Sequence, residues 1–531
     1  GRPKQVRVPG LAKSSGSGLN PCFLWDNTGY LLGFKPDDAN QVRTGDAFEA
    51  FRKKHLALEA EIATTAFSSV CRFLKSWDPG RAGEFPILAE TKSGFGVFQI
   101  AGDPAFVHES PAIDAWWRRH LERETEPGPE GQCLLTGKRI TVARLQPMIK
   151  GVAGGNAQSS LVGFNDSAYW SYGKEQSFNA PVGTLAAVEY GAALNALLDG
   201  PKRSKHRMLL ADATVAFWTD KPSLAEDVFA QFSDRGADMT PREGDTQDAS
   251  RLRELEVFLG ALRQGLEKSG DLATEANRTE FYLLGLSPNQ GRVAVRFFLH
   301  GSVRELIEHL RQHHVDMGIE QEPNRPGPEF PPTWLLLRQT ARESKDIAPN
   351  LAAPLLRAVI TGTRYPESLL AAVVRRIRAD REINYLRGCI IKGCLVRNHE
   401  KEIAMSLDLE KADPAYRLGR LFAVLEKTQE DALGVVNASI RDRFYSSASA
   451  TPASVFPRLL RTYQHHLGKL DGGRKVNREK LVQEILDPLK GFPSHLGLTD
   501  QGLFAIGFYH QRQALFRRPA TEPTQEVNQG E

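Results

Sequence analysis

Cysteine is scarce in this sequence. The chain has five cysteines in 531 residues, an odd number and too few for a disulfide framework. Such sparse cysteine fits a reducing compartment, so we expect a cytoplasmic protein. Cys389 and Cys394 lie five positions apart on a predicted helix, which places them about 140° apart around its axis, the wrong geometry for half of a zinc site. The sequence therefore predicts neither a metal site nor a cofactor.

Long apolar runs and the common catalytic motifs are also missing. No stretch of 18 apolar residues occurs, so neither a transmembrane helix nor a membrane partner is predicted. Each Gly-Lys pair is followed by Arg, Glu or Leu instead of Ser or Thr, which argues against a P-loop ATPase. There is no H-E-x-x-H zinc motif and no G-x-S-x-G nucleophile elbow. We expect no catalytic residue and no enzyme.

Two weaker leads toward enzymatic chemistry remain. The pairs His313–His314 and His465–His466 are expected at helix surfaces or helix ends, because adjacent helical residues do not face one site. The enzymatic alternative is a metal-dependent nuclease built on Asp78, Glu90 and Lys92, a loose D…E-x-K arrangement. In such a site two carboxylates would hold Mg²⁺ beside the attacked phosphate.

The fold class predicted from the pattern is α+β, with a mixed α/β N-terminal region followed by an all-α C-terminal helical bundle. Residues 1–234 are predicted as the first domain, since strand-like runs such as 23–34 and 214–219 alternate with Gly and Pro. Pro111 starts one helix in this region, which places Trp116 in a core.

The second half of the chain divides at a polar loop and a proline-rich stretch. Residues 235–333 form a predicted α+β region that contains a strand at 292–300, a helix at 303–314 and a Pro-rich linker. Residues 334–531 show helical periodicity almost throughout, for example in 366–380, and end in a polar tail that we expect to be disordered.

The net charge of +4 is modest, but basic residues gather in the predicted bundle. From 364 to 401 there are nine Lys or Arg against four acids, and from 441 to 480 nine against three. Such an excess can form a track for a nucleic-acid backbone, although a scattered solvated surface would give the same count. The candidate residues are Arg375, Arg376, Arg378, Arg458, Arg461, Lys469, Arg474 and Lys475.

The most informative stretch is GGNAQSSLVGFNDSAYWSYGKEQSFNAP at 154–181. Its glycines let a backbone approach a polymer closely, and its Asn, Gln and Ser side chains are of the kind that read base edges and touch phosphates. The same residues could instead form an internal polar network that fixes loops, with Trp170 and Tyr172 packed inside. The chemistry alone leaves both interpretations open.

Several motifs resemble the Csd family, the large subunit of the type I-C CRISPR Cascade surveillance complex. The run SYGKEQSFNAP followed by ALNALL resembles the family signature, with Ser177 and Gly183 as departures from the family pattern. The resemblance spans nearly the whole chain in order. The other motifs are FLWDNTGYLLGF, CLLTGKRITVARLQPMIKGV, AYRLGRLFAVLEKTQEDA, SSASATPASVFPRLL and QGLFAIGFYHQRQALF.

The resemblance implies a subunit that binds the protospacer-adjacent motif (PAM) in duplex DNA, aids R-loop formation and recruits a separate helicase-nuclease. Base pairing to the crRNA would supply most of the sequence specificity. The implied partners are crRNA, target double-stranded DNA, the crRNA-processing and repeated backbone subunits, and small-subunit copies made from the same gene. The implied location is the prokaryotic cytoplasm.

The resemblance also directs the choice of site residues. We expect the glycine turn at 154–160 to face DNA and the run at 171–181 mainly to support it. The candidates for PAM and DNA contact are Lys13, Ser14, Ser15, Gly154, Gly155, Asn156, Gln158 and Lys174.

The C-terminal part from about residue 405 resembles a small-subunit bundle that can lie along the displaced strand. We expect internal translation to start at or near Met405, and the family also implies a further segment before Gly1. A purely structural scaffold without DNA contact is the remaining interpretation.

Overall fold

The computed structural model describes residues 6, 8–10, 18–35, 41–90, 94–123, 129–156, 159–164, 166–210, 213–223, 225–226, 229–230, 260, 276–323, 325–434 and 436–517. It divides into two compact units, an N-terminal unit of 1–202 with 288–294 and a C-terminal unit of 203–287 with 295–531. The predicted boundary at 234/235 and the predicted disordered tail lie outside the described residues.

The chain has the α+β fold that the sequence predicts. In the part of the chain that the structure describes, the strands form two small two-stranded sheets, β1-β2 and β3-β4, and a four-stranded sheet of order β5-β6-β7-β8. The strands are β1 (Trp25–Asn27), β2 (Phe95–Val97), β3 (Glu130–Gln132), β4 (Arg139–Thr141), β5 (Arg207–Leu210), β6 (Ala213–Thr219), β7 (Glu280–Asn289) and β8 (Arg292–Ser302).

The helices dominate the second half of the chain. Among the described residues, the helices of the first half are α1 (Thr28–Leu32), α2 (Gln41–Ile62), α3 (Thr65–Ser76), α4 (Pro86–Glu90), α5 (Pro111–Arg123), α6 (Thr184–Asp199) and α7 (Arg203–His206). Those of the second half are α8 (Val303–Met317), α9 (Thr333–Arg338), α10 (Pro349–Thr361), α11 (Glu367–Asp380), α12 (Tyr385–His399), α13 (Pro414–Leu433), α14 (Ile440–Ala448), α15 (Pro452–Leu467), α16 (Gly472–Leu486) and α17 (Leu498–Phe516). Among the described helices, none is long and apolar enough to cross a membrane.

The predicted strand at 23–34 is wrong for most of its length, because a helix begins inside it. The Asn27 side chain accepts a hydrogen bond from the Gly29 N–H and caps α1. Gly33 then ends the helix with a φ of 63°, the left-handed conformation that favours glycine. Local capping chemistry therefore overrides the strand-like composition.

The core of the N-terminal unit is aromatic. Phe23 is buried and stacks on Trp117 with ring centroids 4.6 Å apart. Trp116, the residue before Trp117 on α5, is also buried, as expected from the predicted helix. The tryptophan pair therefore stabilises this unit and is not an exposed platform for bases.

In the C-terminal unit the predicted strand at 292–300 lies within β8, and the predicted helix at 303–314 lies within α8. Phe297 and Leu299 pack against the core of this unit, whereas Val295 on the same face of the strand is 51% exposed. On α11 the predicted apolar stripe is buried: Leu369, Leu370, Val373, Val374 and Ile377.

The histidine pairs match the expectation in part, since His314, His465 and His466 lie in the last turns of α8 and α15. In each pair one residue is buried: His313, whose Nδ1 lies 2.7 Å from the Tyr365 hydroxyl, and His466. The following His314 packs on the Phe330 ring, and His465 is exposed. Adjacent helical residues do point to different sides, but one of each pair points into the core.

Candidate nucleic-acid interface

The glycine-rich segment 151–156 forms an exposed turn in the N-terminal unit. Gly154, Gly155 and Asn156 are all exposed, and Gly154 has a φ of 70°, a conformation that glycine adopts without strain. Gly151, with a φ of 79°, is needed for packing, because a Cβ there would lie 2.6 Å from the Leu198 carbonyl oxygen of α6. The turn thus presents backbone and one amide side chain to solvent.

Polar groups fix the backbone on both sides of this turn. The Asn195 side chain on α6 accepts a hydrogen bond from the Lys150 N–H at 2.7 Å and donates one to the Met148 carbonyl at 2.9 Å. Ser159 is buried, and its carbonyl accepts a hydrogen bond from the Ile149 N–H at 2.8 Å. Ser159 therefore lies inside the folded unit, whereas Gly154, Gly155 and Asn156 are exposed.

The tip of the β7-β8 hairpin lies beside this turn and supplies a cation. The Val293 N–H donates to the Ser160 carbonyl at 3.0 Å. The neighbouring Arg292 places its guanidinium 4.3 Å from the centre of the Tyr169 ring, within the range of a cation–π contact. The sequence predicts Arg292 at the start of a strand but does not show that the hairpin returns to residue 160.

The segment 166–175 lies entirely on the surface. Trp170 is 43% exposed and Tyr172 98% exposed, so neither is packed inside, as the internal-network interpretation required. Lys174, a predicted DNA contact, is exposed in the same segment.

The structure thus brings three predicted contact residues together on one turn and puts a fourth, Lys174, on another turn of the same unit. The remaining four predicted contacts, Lys13, Ser14, Ser15 and Gln158, lie outside the described residues.

Two helices of the C-terminal unit each carry a pair of predicted backbone contacts. On α11, Arg375 and Arg378 are three residues apart and both exposed. On α15, Arg458 and Arg461 have the same spacing and exposure. Residues three apart lie on one face of a helix, so each pair points in one direction.

One arginine of each pair contacts α14. Arg378 donates to the Ser446 hydroxyl at 3.1 Å, and the Arg458 guanidinium lies 5.4 Å from the centre of the Phe444 ring. The other predicted backbone contacts are more dispersed: Arg376 pairs with Asp380, Arg474 pairs with Asp471 at 3.2 Å, and Lys469 and Lys475 are exposed.

Of the three residues of the nuclease alternative, Asp78 has a structural role as a helix cap. Asp78 caps a short 3-10 helix at 79–84 by accepting a hydrogen bond from the Gly80 N–H at 2.9 Å. The Glu90 side chain and Lys92 lie outside the described residues. Within the part of the chain that the structure describes, no cluster of three or more His, Cys, Asp or Glu side chains is arranged to hold a metal ion.

Comparison with known proteins places the chain in a family. The model of the CRISPR-associated protein family Cas_Csd1 matches residues 1–516. A search of curated proteins found no match. The chain therefore belongs to the Cas_Csd1 family and is a CRISPR-associated protein of the Cascade type, as its motifs predicted.

Proposed function

We propose that this chain is the large subunit of a type I-C Cascade, which binds the PAM in duplex DNA, aids R-loop formation and recruits a separate helicase-nuclease. Its partners are crRNA, target DNA, the crRNA-processing and repeated backbone subunits, and small-subunit copies. The chain itself carries no catalytic activity in this proposal.

The observation that carries the proposal is the exposed turn Gly154–Asn156. A turn with no Cβ at its first two positions lets the backbone approach a groove closely, and the exposed Asn156 side chain is an amide of the kind that reads base edges. The turn is held by Asn195 and packs through Gly151 against α6. A fixed turn loses little conformational freedom on binding, which favours recognition.

The nuclease alternative has less support. Asp78 already accepts a backbone hydrogen bond as a helix cap, and neither the Glu90 side chain nor Lys92 is described. Incubating the isolated chain with DNA and Mg²⁺ separates the two functions directly. Cleavage that disappears in Asp78→Ala would favour the nuclease.

The test of the proposed function is binding of the assembled complex to two DNAs, a closed duplex with the PAM and the same sequence already opened by mismatches. Asn156→Ala should weaken binding to the closed duplex by about 1–3 kcal/mol, the size of a lost base contact, and affect opened DNA less. Lys13→Ala should show the same preference.

The matched control is Asn437→Ala, which removes an exposed amide in the C-terminal unit and should leave both affinities unchanged. An equal loss on closed and opened DNA in Asn156→Ala would refute its assignment as a PAM contact.

A further inference from the structure

Tyr172 occupies the tip of a two-residue turn and is almost fully exposed. Ser171 and Lys174 pair across the turn, and the Lys174 N–H donates to the Ser171 carbonyl at 3.0 Å. Tyr172 and Gly173 lie between them with φ values of 53° and 69°. The Tyr172 side chain is 98% exposed, so its ring contributes almost nothing to the packing of the folded protein.

Tyrosine is a poor choice for this position if stability alone matters. Two positive φ values in a two-residue hairpin are typical of a type I′ turn, for which Asn-Gly is the preferred pair. A bulky side chain in the left-handed region is strained. Strain of this kind is retained where the residue has a use other than folding.

The turn is nevertheless held rigidly, by a single amide side chain. Asn179 accepts a hydrogen bond from the Ser171 N–H at 2.9 Å and donates to the Lys174 carbonyl at 2.8 Å and the Gln176 carbonyl at 3.0 Å. It therefore joins both ends of the turn to the segment behind it. A rigid support for an exposed ring lowers the entropy that the ring would lose on binding.

The surroundings of the ring match those of a strand of nucleic acid. The ten residues 166–175 contain three exposed aromatic residues, Tyr169, Trp170 and Tyr172, and no aliphatic residue larger than alanine. The cations beside this segment are Lys174 on the turn, Arg292 against Tyr169, and Arg144, which donates a hydrogen bond to the Gln176 side chain at 3.1 Å. Aromatic rings beside cations bind single strands by stacking on bases while the cations attract phosphates.

We propose that Tyr172 stacks on an unpaired nucleobase of the opened target DNA. This assignment rests on the proposed function, since it needs the duplex to be opened beside this unit. On the turn itself the neighbours of Tyr172 are a serine, a glycine and a lysine, which place polar groups beside the ring, as contact with a nucleotide requires.

The test uses the assembled complex and PAM-bearing DNA in which a fluorescent adenine analogue replaces single bases next to the PAM. Stacking on the Tyr172 ring quenches the analogue at one position. In Tyr172→Ala the quenching should be lost and the affinity for opened DNA should fall about 5- to 150-fold, the range of one base–aromatic stack. Tyr172→Phe keeps the ring and should behave as the unmodified protein.

Two further variants act as controls. Phe95→Ala removes a ring that is 72% exposed elsewhere in the N-terminal unit. It should change neither the quenching nor the affinity for opened DNA. Tyr172→Asn puts the favoured residue into the turn, so its melting temperature should be unchanged or higher while the quenching is lost. A structural role for the ring would instead lower the melting temperature of Tyr172→Asn.

The results distinguish a failure of the proposed function from a failure of the stacking proposal. If the unmodified complex binds PAM-free duplex as well as PAM-bearing duplex, the proposed function fails. If the unmodified complex prefers PAM-bearing duplex, but Tyr172→Ala still quenches the adenine analogue and binds opened DNA with unchanged affinity, the stacking proposal alone is overturned. The stacking proposal is also overturned if the effect of Tyr172→Ala appears only with the analogue in the crRNA, or if this variant fails to assemble, which would indicate a protein contact.

Discussion

His55 is a fully buried histidine in the aromatic core of the N-terminal unit. Its Nε2 accepts a hydrogen bond from the Leu24 N–H at 3.0 Å, which leaves Nδ1 to donate to the Phe51 carbonyl at 2.8 Å. Burial lowers the pKa of His55 to about 4. The side chain is therefore neutral in the folded protein, and protonation would break the bond to Leu24.

This pKa predicts acid sensitivity. An unfolded histidine titrates near pH 6.5, so between about pH 6.5 and about pH 4 the unfolded state binds more protons and the free energy of unfolding falls as the pH falls. At about pH 5 the loss from His55 should be about 2 kcal/mol. Thermal melting at about pH 7.5 and about pH 5 measures this loss of stability.

His55→Gln removes the titrating group and serves as the comparison. Its overall stability should be lower because of the altered packing, but the difference between the two pH values should shrink. An unchanged pH dependence in His55→Gln would contradict the assignment, and the buried His510, whose pKa burial lowers to about 4, would then be the next group to test.

At the scale of elements, α13 and α17 approach each other unusually closely through two glycines. A Cβ at Gly419 would lie 2.0 Å from the Phe504 carbonyl oxygen, and one at Gly507 would lie 2.0 Å from the Tyr416 carbonyl oxygen. Because these contacts are with backbone, a side chain cannot turn aside to relieve them. The glycines set the distance between the two helices.

Gly419→Ala should therefore destabilise the C-terminal unit by about 1–3 kcal/mol or more, the usual cost of overpacking. The control is Gly472→Ala at the start of α16, where a Cβ would meet nothing within 4 Å. That control should be neutral or slightly stabilising, since alanine favours the helix. The melting temperatures of the two variants measure this difference in stability. Similar melting temperatures would show that α13 and α17 can move apart to accept the added methyl group.

At the scale of the whole molecule, the basic pairs on α11 and α15 predict a contact with the displaced DNA strand. Reversing the charge of Arg458 and Arg461 to Glu should weaken binding of R-loop DNA and flatten its salt dependence, because fewer counterions are released. Arg72→Glu, an exposed position on α3, should have little effect. An unchanged affinity for R-loop DNA in the variant with both arginines replaced by Glu would favour the interpretation of the chain as a scaffold without DNA contact.

The start at Met405 is a second prediction at this scale. Met405 is 63% exposed in the segment between α12 and α13, so a chain beginning there would include the whole α13–α17 set. Mass spectrometry of the purified complex should find a fragment that begins within a few residues of Met405. Its absence would remove the proposal that one gene supplies both subunits.

The sequence by itself determined the fold class, the position of α5, β8 and α11, and the family. Each depends on local signals: Pro111 at a helix start, the apolar stripe of α11, or short motifs in order. It was wrong at 23–34, where a cap at Asn27 decided the conformation.

Only the tertiary structure decided which polar residues of 154–181 face solvent. Ser159 and Asn156 are three residues apart and equally polar, yet Ser159 is buried and Asn156 is exposed. The exposure of Tyr172 was equally hidden, since an aromatic residue in a sequence predicts burial. Composition specifies which groups can bind a nucleic acid, but burial depends on residues distant in sequence, here α6 and the hairpin tip, that fold against the loop.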